Sequence, residues 1–396
     1  MVSCDQCGRE FKTAGALTQH VKREHASDPL ALLRSSIPGI RPGGAISDRP
    51  IVAAPSGIPS VDYTIGIGGI PRGALVEVFG PSQTGKTFVA MTFAAHAQSV
   101  GGKAGYMDAE RALNAEFLRL VPGLDIEALE YGMPPDGNDP MYDDQPEVRK
   151  KMLKEGWDGS GEAALEASRR FINSGQFDVW AVDSVHALTP RSKLGLPIGH
   201  PAASAAIARL MSEAAPILEH ELHRTRCVCV FVNHVKGVPN VKFGKDWSKP
   251  GGSALDYYCS IQLHVTTGMP YYRQGGDGRK IGHVVRVKVY KSKVGPPHGQ
   301  AEFDLFYGEG MAKGPGADSP PARYVTPGVD MATSWLSVLS EQKEVSWAGN
   351  RYVDADGVVL GSKGDVLEML RDPVSELRRR GQDIVYPEKY RQEAAA

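Results

Sequence analysis

Seven short apolar runs punctuate the middle of the chain: ALVEVFG, KAGYMD, DVWAVDS, CVCVFVN, YYCSIQLHV, VVRVKVY and QAEFDLF. Each has the length and composition of a strand. Helical stretches such as TFVAMTFAAHAQSV and AALEASRRFINSG separate the earlier runs. Strands alternating with helices predict a largely parallel sheet wrapped by helices. The later runs lie close together, which predicts antiparallel strands at one end of the sheet. The fold class expected for residues 50–315 is therefore α/β, a mostly parallel central sheet flanked by helices.

The flanks follow other patterns. Residues 1–26 hold closely spaced cysteines and histidines. In residues 27–49, Asp28 and Pro29 start a short helix as N-cap and first-turn proline. Leu30, Leu33 and Ile37 share one face of it, and a Gly/Pro-rich linker follows. Residues 311–330 are rich in Gly, Pro and Ser, which predicts a boundary. Residues 316–396 form a small α+β C-terminal domain with a basic helix, SELRRRGQ. Residues 125–147 carry eight acids and no Lys or Arg. They read as a solvated surface loop or, more sharply, as an acidic flap that repels nucleic acid or docks a basic partner.

Composition changes this picture little. The 396 residues are 41% hydrophobic and 23% charged, an ordinary globular balance. With a net charge of −1, any nucleic-acid contact must come from local basic patches. No run approaches the length of a membrane span and the N-terminus has no apolar signal core, so a soluble protein without a membrane partner is expected. Five cysteines argue against a disulfide framework. Cys227, Cys229 and Cys259 sit in apolar runs and read as buried strand residues.

The remaining two cysteines begin the spacing Cys4-x2-Cys7-x12-His20-x4-His25. A unit this short cannot fold on its own apolar surface, so a metal must supply folding energy. Two thiolates and two imidazoles suit tetrahedral zinc. Phe11 and Leu17 fall where a small ββα core needs them, and the segment resembles a C2H2 zinc finger. The helix positions that would face bases are Thr13, Ala16 and Gln19, a poor set for reading sequence. Lys12, Lys22 and Arg23 could touch phosphates without specificity. Docking to protein or to DNA backbone is the expected use.

Gly80-Pro81-Ser82-Gln83-Thr84-Gly85-Lys86-Thr87 is a phosphate-binding loop between a strand and a helix. Its backbone N–H groups and the helix N-terminus favour phosphate. Lys86 would hold the β- and γ-phosphates of ATP, and Thr87 would hold magnesium. A second strand must supply the magnesium-side acid, and the run FDVWAVD does so, ending in Asp183. Hydrolysis also needs a group to activate water. YMDAERAL delivers Asp108 and Glu110, and Glu110 is the candidate.

In order along the chain stand SVDYTIGIGGIPRGALVEVFGPSQTGKT, YMDAERALN, VDSVHALTP, FVNH, GGSALDYY, RVKVYKSK and AEFDLFYGEG. In this combination residues 50–310 resemble the bacterial RecA-family recombinases, and residues 325–385 more weakly resemble that family's C-terminal domain. The resemblance implies a RecA-like ATPase core and a right-handed filament on single-stranded DNA, with ATP between subunits. It implies that Glu110 activates water and that Asn114 and Phe117 contact the adenine. Lys291 and Lys293 would reach the γ-phosphate across the subunit interface. Residues 191–203, with Arg191 and Lys193, fall at the first DNA-binding loop. Residues 236–252 fall at the second, with Lys236, Lys242, Phe243, Lys245, Trp247, Lys249, Gly251 and Gly252. There cations would track the backbone while aromatics stack or wedge bases. The implied partners are single-stranded DNA, homologous duplex and further copies of the chain, with a loader or single-strand-binding protein beside them. The implied setting is bacterial cytoplasm.

The chain departs from the family at several points. His234 stands where bacterial members carry a Gln that senses the γ-phosphate, and an imidazole can still donate one hydrogen bond. The finger is not part of the usual bacterial pattern, and a phage-encoded member is expected because such variants of the family depart in similar ways. The N-terminal docking helix is shortened to DPLALLRSSI, and the usual acidic tail is missing from the end YRQEAAA. The expected activity is ATP-dependent homology search and strand exchange, with hydrolysis driving release. The alternatives are a RecA-like ring helicase or branch-migration motor, against which the paired lysines of YKSK argue, and a binding module that uses ATP as a switch, against which Glu110 argues.

Overall fold

The computed structural model describes residues 2–5, 7–24, 34, 37, 51–197, 205–238, 247–274, 278–314, 322–349 and 351–387. The chain divides into two compact units, Met1–Ile51 and Val52–Ala396. Most of the helix expected at 28–37 lies outside the described residues, as do His25, Lys242, Phe243 and Lys245.

In the first unit, strands Val2–Ser3 and Glu10–Phe11 pair antiparallel ahead of helix Ala14–Glu24. Thr13 Oγ1 accepts from the Ala16 N–H at 3.2 Å, a helix cap. Cys4 and Val21 are buried, with Phe11 and Leu17 packed against them.

The second unit is built on one large mixed sheet. Its main strands are β1 (Leu75–Gly80), β2 (Ala104–Asp108), β3 (Glu130–Gly132), β4 (Val179–Asp183), β5 (Val228–His234), β6 (Ile261–Arg273), β7 (Lys280–Ser292), β8 (Gln300–Phe306) and β9 (Gly328–Asp330). Their order across the sheet is β9-β8-β7-β6-β1-β5-β4-β2-β3. The neighbours from β6 through β3 are parallel, and those from β9 through β6 are antiparallel. Hairpin strands follow one another closely, whereas parallel strands need crossovers, and the spacing of the apolar runs reflects this.

Helices cover both faces. Helix α1 (Pro59–Ile65) and α2 (Lys86–Ser99) pack into the larger apolar cluster with Val76, Val78 and Val230. On the other face, α3 (Gly161–Asn173) and α4 (Ala206–Thr225) enclose Trp180, Val182, Cys229 and Phe231. α3 is amphipathic, capped by the Ser160 hydroxyl accepting from the Ala163 N–H at 3.2 Å. The short helix α5 (Ala254–Tyr258) leads into β6. Cys227, Cys229 and Cys259 are all buried.

Residues 125–147 are more built than a loop. β3 lies among them and pairs parallel with β2, and Tyr131 OH donates to Asp108 Oδ2 at 3.0 Å. The acids flanking β3 are mostly exposed. Past residue 322, α6 (Met331–Glu341), a three-stranded sheet, α7 (Lys363–Arg371) and α8 (Glu376–Val385) share their own apolar cluster. This subdomain packs on α1 within the same compact unit: Tyr386 OH donates to Asp62 Oδ2 at 2.7 Å, and the Ser60 N–H donates to Ser334 Oγ at 2.9 Å.

Candidate active site

Strand ends meet at the carboxyl edge of the parallel strands, where open α/β sheets bind ligands. β1 runs into the loop 80–87, β4 ends at Asp183, β5 ends at His234, and Glu110 follows β2. Gly80 sits opposite His234 and Asp108 opposite Asp183. A Cβ at Gly80 would fall 2.0 Å from the Val265 carbonyl oxygen, so no larger residue fits. Gly85 has φ 91°, a left-handed turn that glycine adopts at little cost, and α2 begins on the next residue. The unpaired N–H groups and positive end of α2 are thereby presented at the loop.

A cavity of about 380 Å³ opens there, lined by Ser82 through Thr87 together with Glu110, Phe117, Asp183 and His234. Thr87 Oγ1 and Tyr106 OH both donate to Asp183 Oδ2, at 2.6 and 2.7 Å. Burial pushes the Asp183 carboxyl above its ordinary value, and these two donors hold it back. Lys86 Nζ donates to the Pro81 carbonyl at 2.6 Å. Burial lowers the affinity of its ammonium for its proton, opposed by Asp183 and Glu110. A hydroxyl beside a carboxylate offers hard oxygen ligands of the kind magnesium takes.

Glu110 receives two donors on one oxygen. Ser184 Oγ donates to Oε1, and His234 Nε2 lies 3.1 Å from the same atom. The His186 ring stands 5.9 Å from that of His234. Asp108 has other work: it accepts from the N–H groups of Ala112 and Leu113 and from Tyr131 OH. Phe117 lines the cavity edge-on to Phe88. Asn114 instead caps a short helical turn, its Oδ1 accepting from the Phe117 N–H at 2.8 Å.

Lys291 and Lys293 do not line this cavity. Lys291 Nζ donates to the carbonyls of Asp256 and Tyr257, and Lys293 Nζ to that of Tyr258. Lys291 lies near the end of β7 and Lys293 just beyond it, both beside α5.

The basic loops divide into exposed and anchored residues. Arg191 is held by the Asp158 carboxylate and the Gly156 carbonyl. Lys193 is half-buried and Lys236 is exposed. Lys236–Gly237 and Trp247–Ser248 pair as an antiparallel stem. Trp247 packs among Phe79, His264 and Tyr290, at 5.3–5.8 Å between ring centres. Lys249 turns inward, with a side chain only 5% exposed. Gly251 and Gly252 lead from the loop into α5.

In the first unit the ligand atoms of Cys4, Cys7 and His20 lie within 4.8 Å of one another. Two thiols and an imidazole are a donor set that suits zinc.

Ser184 and Tyr106, which orient the two acids, are not legible in the sequence, because a hydroxyl in an apolar run has no signature there. Glu77 and Asn233 are a different case: both are polar residues inside apolar runs, and that oddity is a signal.

Fold and site together define a P-loop nucleotide-binding protein. The model of the RecA N-terminal domain matches residues 39–312. The chain is similar to Protein RecA of Clostridium acetobutylicum, 36% identical over 66% of this chain and 67% of that one. It is also similar to Protein RecA of Saccharopolyspora erythraea, 37% identical over 67% and 68%. The same protein of Heliobacterium modesticaldum is 36% identical over 69% and 71%. This chain belongs to the RecA family. Among solved structures, the crystal structure of the RadB recombinase matches with TM-score 0.44 and 17% identity, over 64% of this chain and 96% of that chain.

Proposed function

We propose that this protein is an ATP-dependent recombinase that assembles on single-stranded DNA and exchanges strands with homologous duplex. The observation that carries the reading is the contact between Glu110 and His234. His234 ends β5, and the second basic loop begins two residues later at Lys236. A group bonded to the water-activating carboxylate is thus the root of a loop suited to DNA, so DNA occupancy and hydrolysis share one residue.

In this reading Lys86 binds the β- and γ-phosphates, and Thr87 and Asp183 hold magnesium, which neutralises phosphate charge when bound. Glu110 orients and deprotonates water, and Phe117 packs on the base. Lys291 and Lys293 serve the ATP of a neighbouring copy. Their distance from their own cavity supports that role, because cations supplied in trans act only once a neighbour has docked. Lys236, together with Lys242, Phe243 and Lys245, meets single-stranded DNA. The finger binds zinc through Cys4, Cys7, His20 and His25 and adds a docking surface.

The test is ATP hydrolysis with and without single-stranded DNA. Strong stimulation by single strands, weaker by duplex, is expected. Hydrolysis indifferent to DNA would remove the reading in favour of a motor or switch.

A further inference from the structure

The second basic loop is tied to the nucleotide site at both feet, and the far tie is a buried charge. Glu77 lies within β1 and is fully buried. Its Oε2 accepts from Lys249 Nζ and from Gln262 Nε2, each at 2.6 Å. Its Oε1 accepts from Asn233 Nδ2 at 2.9 Å. Lys249 Nζ also donates to Asp256 Oδ1 at 2.8 Å and lies 4.4 Å from the centre of the Phe79 ring. Burial alone would push this ammonium down, but Glu77 and Asp256 outweigh it and hold it above its ordinary value.

Buried ion pairs are poor stabilisers: well-packed apolar groups in their place are often neutral or better. The pair therefore calls for a reason other than stability, and its location offers one. Asn233 Nδ2 donates also to the Pro250 carbonyl at 3.0 Å, and Asn233 Oδ1 accepts from the His234 N–H at 2.9 Å. Glu77 thus binds the residue before His234 on one side of the loop and Lys249 on the other. Three residues beyond Glu77, β1 becomes the phosphate-binding loop at Gly80. The stem formed by Lys236–Gly237 and Trp247–Ser248 stands between the two feet.

We propose that Glu77, Lys249 and Asn233 form an internal strut that transmits the state of the second basic loop to β1 and to His234. Lys249 is then a positioning residue for DNA-stimulated hydrolysis and does not touch DNA. The proposal rests on the recombinase reading above.

The experiment compares the parent with Lys249→Arg, Lys249→Met and the double variant Glu77→Gln/Lys249→Met. The double variant leaves no charge buried alone, so it folds even where Lys249→Met does not. Two quantities are read: ATP turnover at saturating oligo-dT, and oligo-dT affinity by fluorescence anisotropy with a non-hydrolysable ATP analogue. In the double variant, affinity stays within about twofold of the parent while DNA stimulation falls about fivefold or more, and Lys249→Arg restores most of it. Full stimulation in the double variant would overturn the strut. So would an affinity loss of about tenfold, which would make Lys249 a DNA contact. If the parent itself shows no stimulation, the recombinase reading falls and takes the strut with it. A stimulated parent with unaffected variants sinks the strut alone.

Discussion

Glu110 lines the cavity and accepts from Ser184 and from His234 at one oxygen. Replacing it with Gln keeps the hydrogen bonds but removes the carboxylate proposed as the base. Glu110→Gln should cut phosphate release by about 10²-fold or more while ATP-dependent DNA binding survives, as filter binding would show. Ser184→Ala should be milder. Losing an orienting donor lowers kcat by about three- to tenfold with little change in KM for ATP. Lys86, Thr87 and Asp183 were legible because motif spacing and flanking apolar runs are strong signals, whereas the roles of Glu110, Lys291 and Lys293 drew on the resemblance and the lysines stand outside the cavity. Ser184 was not legible, being one neutral hydroxyl among many. Glu77 was half legible: a carboxylate inside ALVEVFG must have a partner, but that partner, Lys249, is 172 residues away and only the fold brings it near. Lys249 itself read as one basic residue among four in a loop, and sequence position says nothing about which way a side chain turns.

At the scale of elements, α1 joins the sheet to the C-terminal subdomain, and Asp62 is the seam. It is fully buried, accepts from the Ser56 N–H at 2.7 Å and from Tyr386 OH, and burial pushes its carboxyl up to about 7 against those donors. The folded chain therefore keeps a proton that the unfolded chain releases above about pH 4. Stability falls as pH rises from about 4 to 7 and levels off beyond, by at most about 4 kcal/mol. Asp62→Asn should flatten that fall, measured as the urea midpoint between pH 5 and 8. An unchanged slope would assign the pH dependence to other groups. The central strands and their helices were legible from length and alternation of apolar runs. β3 was not, because three residues carry no periodicity and its pairing with β2 is a tertiary event. The seam was invisible for the same reason: Tyr386 and Asp62 lie 324 residues apart.

At the scale of the whole molecule, the two compact units differ in what holds them together. Among the described residues the first holds one small apolar cluster beside the ligand atoms of Cys4, Cys7 and His20; the second has extensive cores on both faces of its sheet. One zinc per chain is expected by elemental analysis. Stripping it with a chelator should unfold helix Ala14–Glu24, read by amide exchange, and leave the melting of Val52–Ala396 unchanged. A chelator that lowers both would mean that the finger supports the core. The large sheet also ends in a particular way. At the two ends of its main strand order, β3 and β9 are each three residues long, Pro327 precedes β9, and Glu130 on β3 is exposed. Short, charged or proline-flanked edges make poor templates for another chain's strand. A protein proposed to line up many copies of itself at high local concentration has particular need of that. Short, charged ends disfavour fusion of such sheets edge to edge.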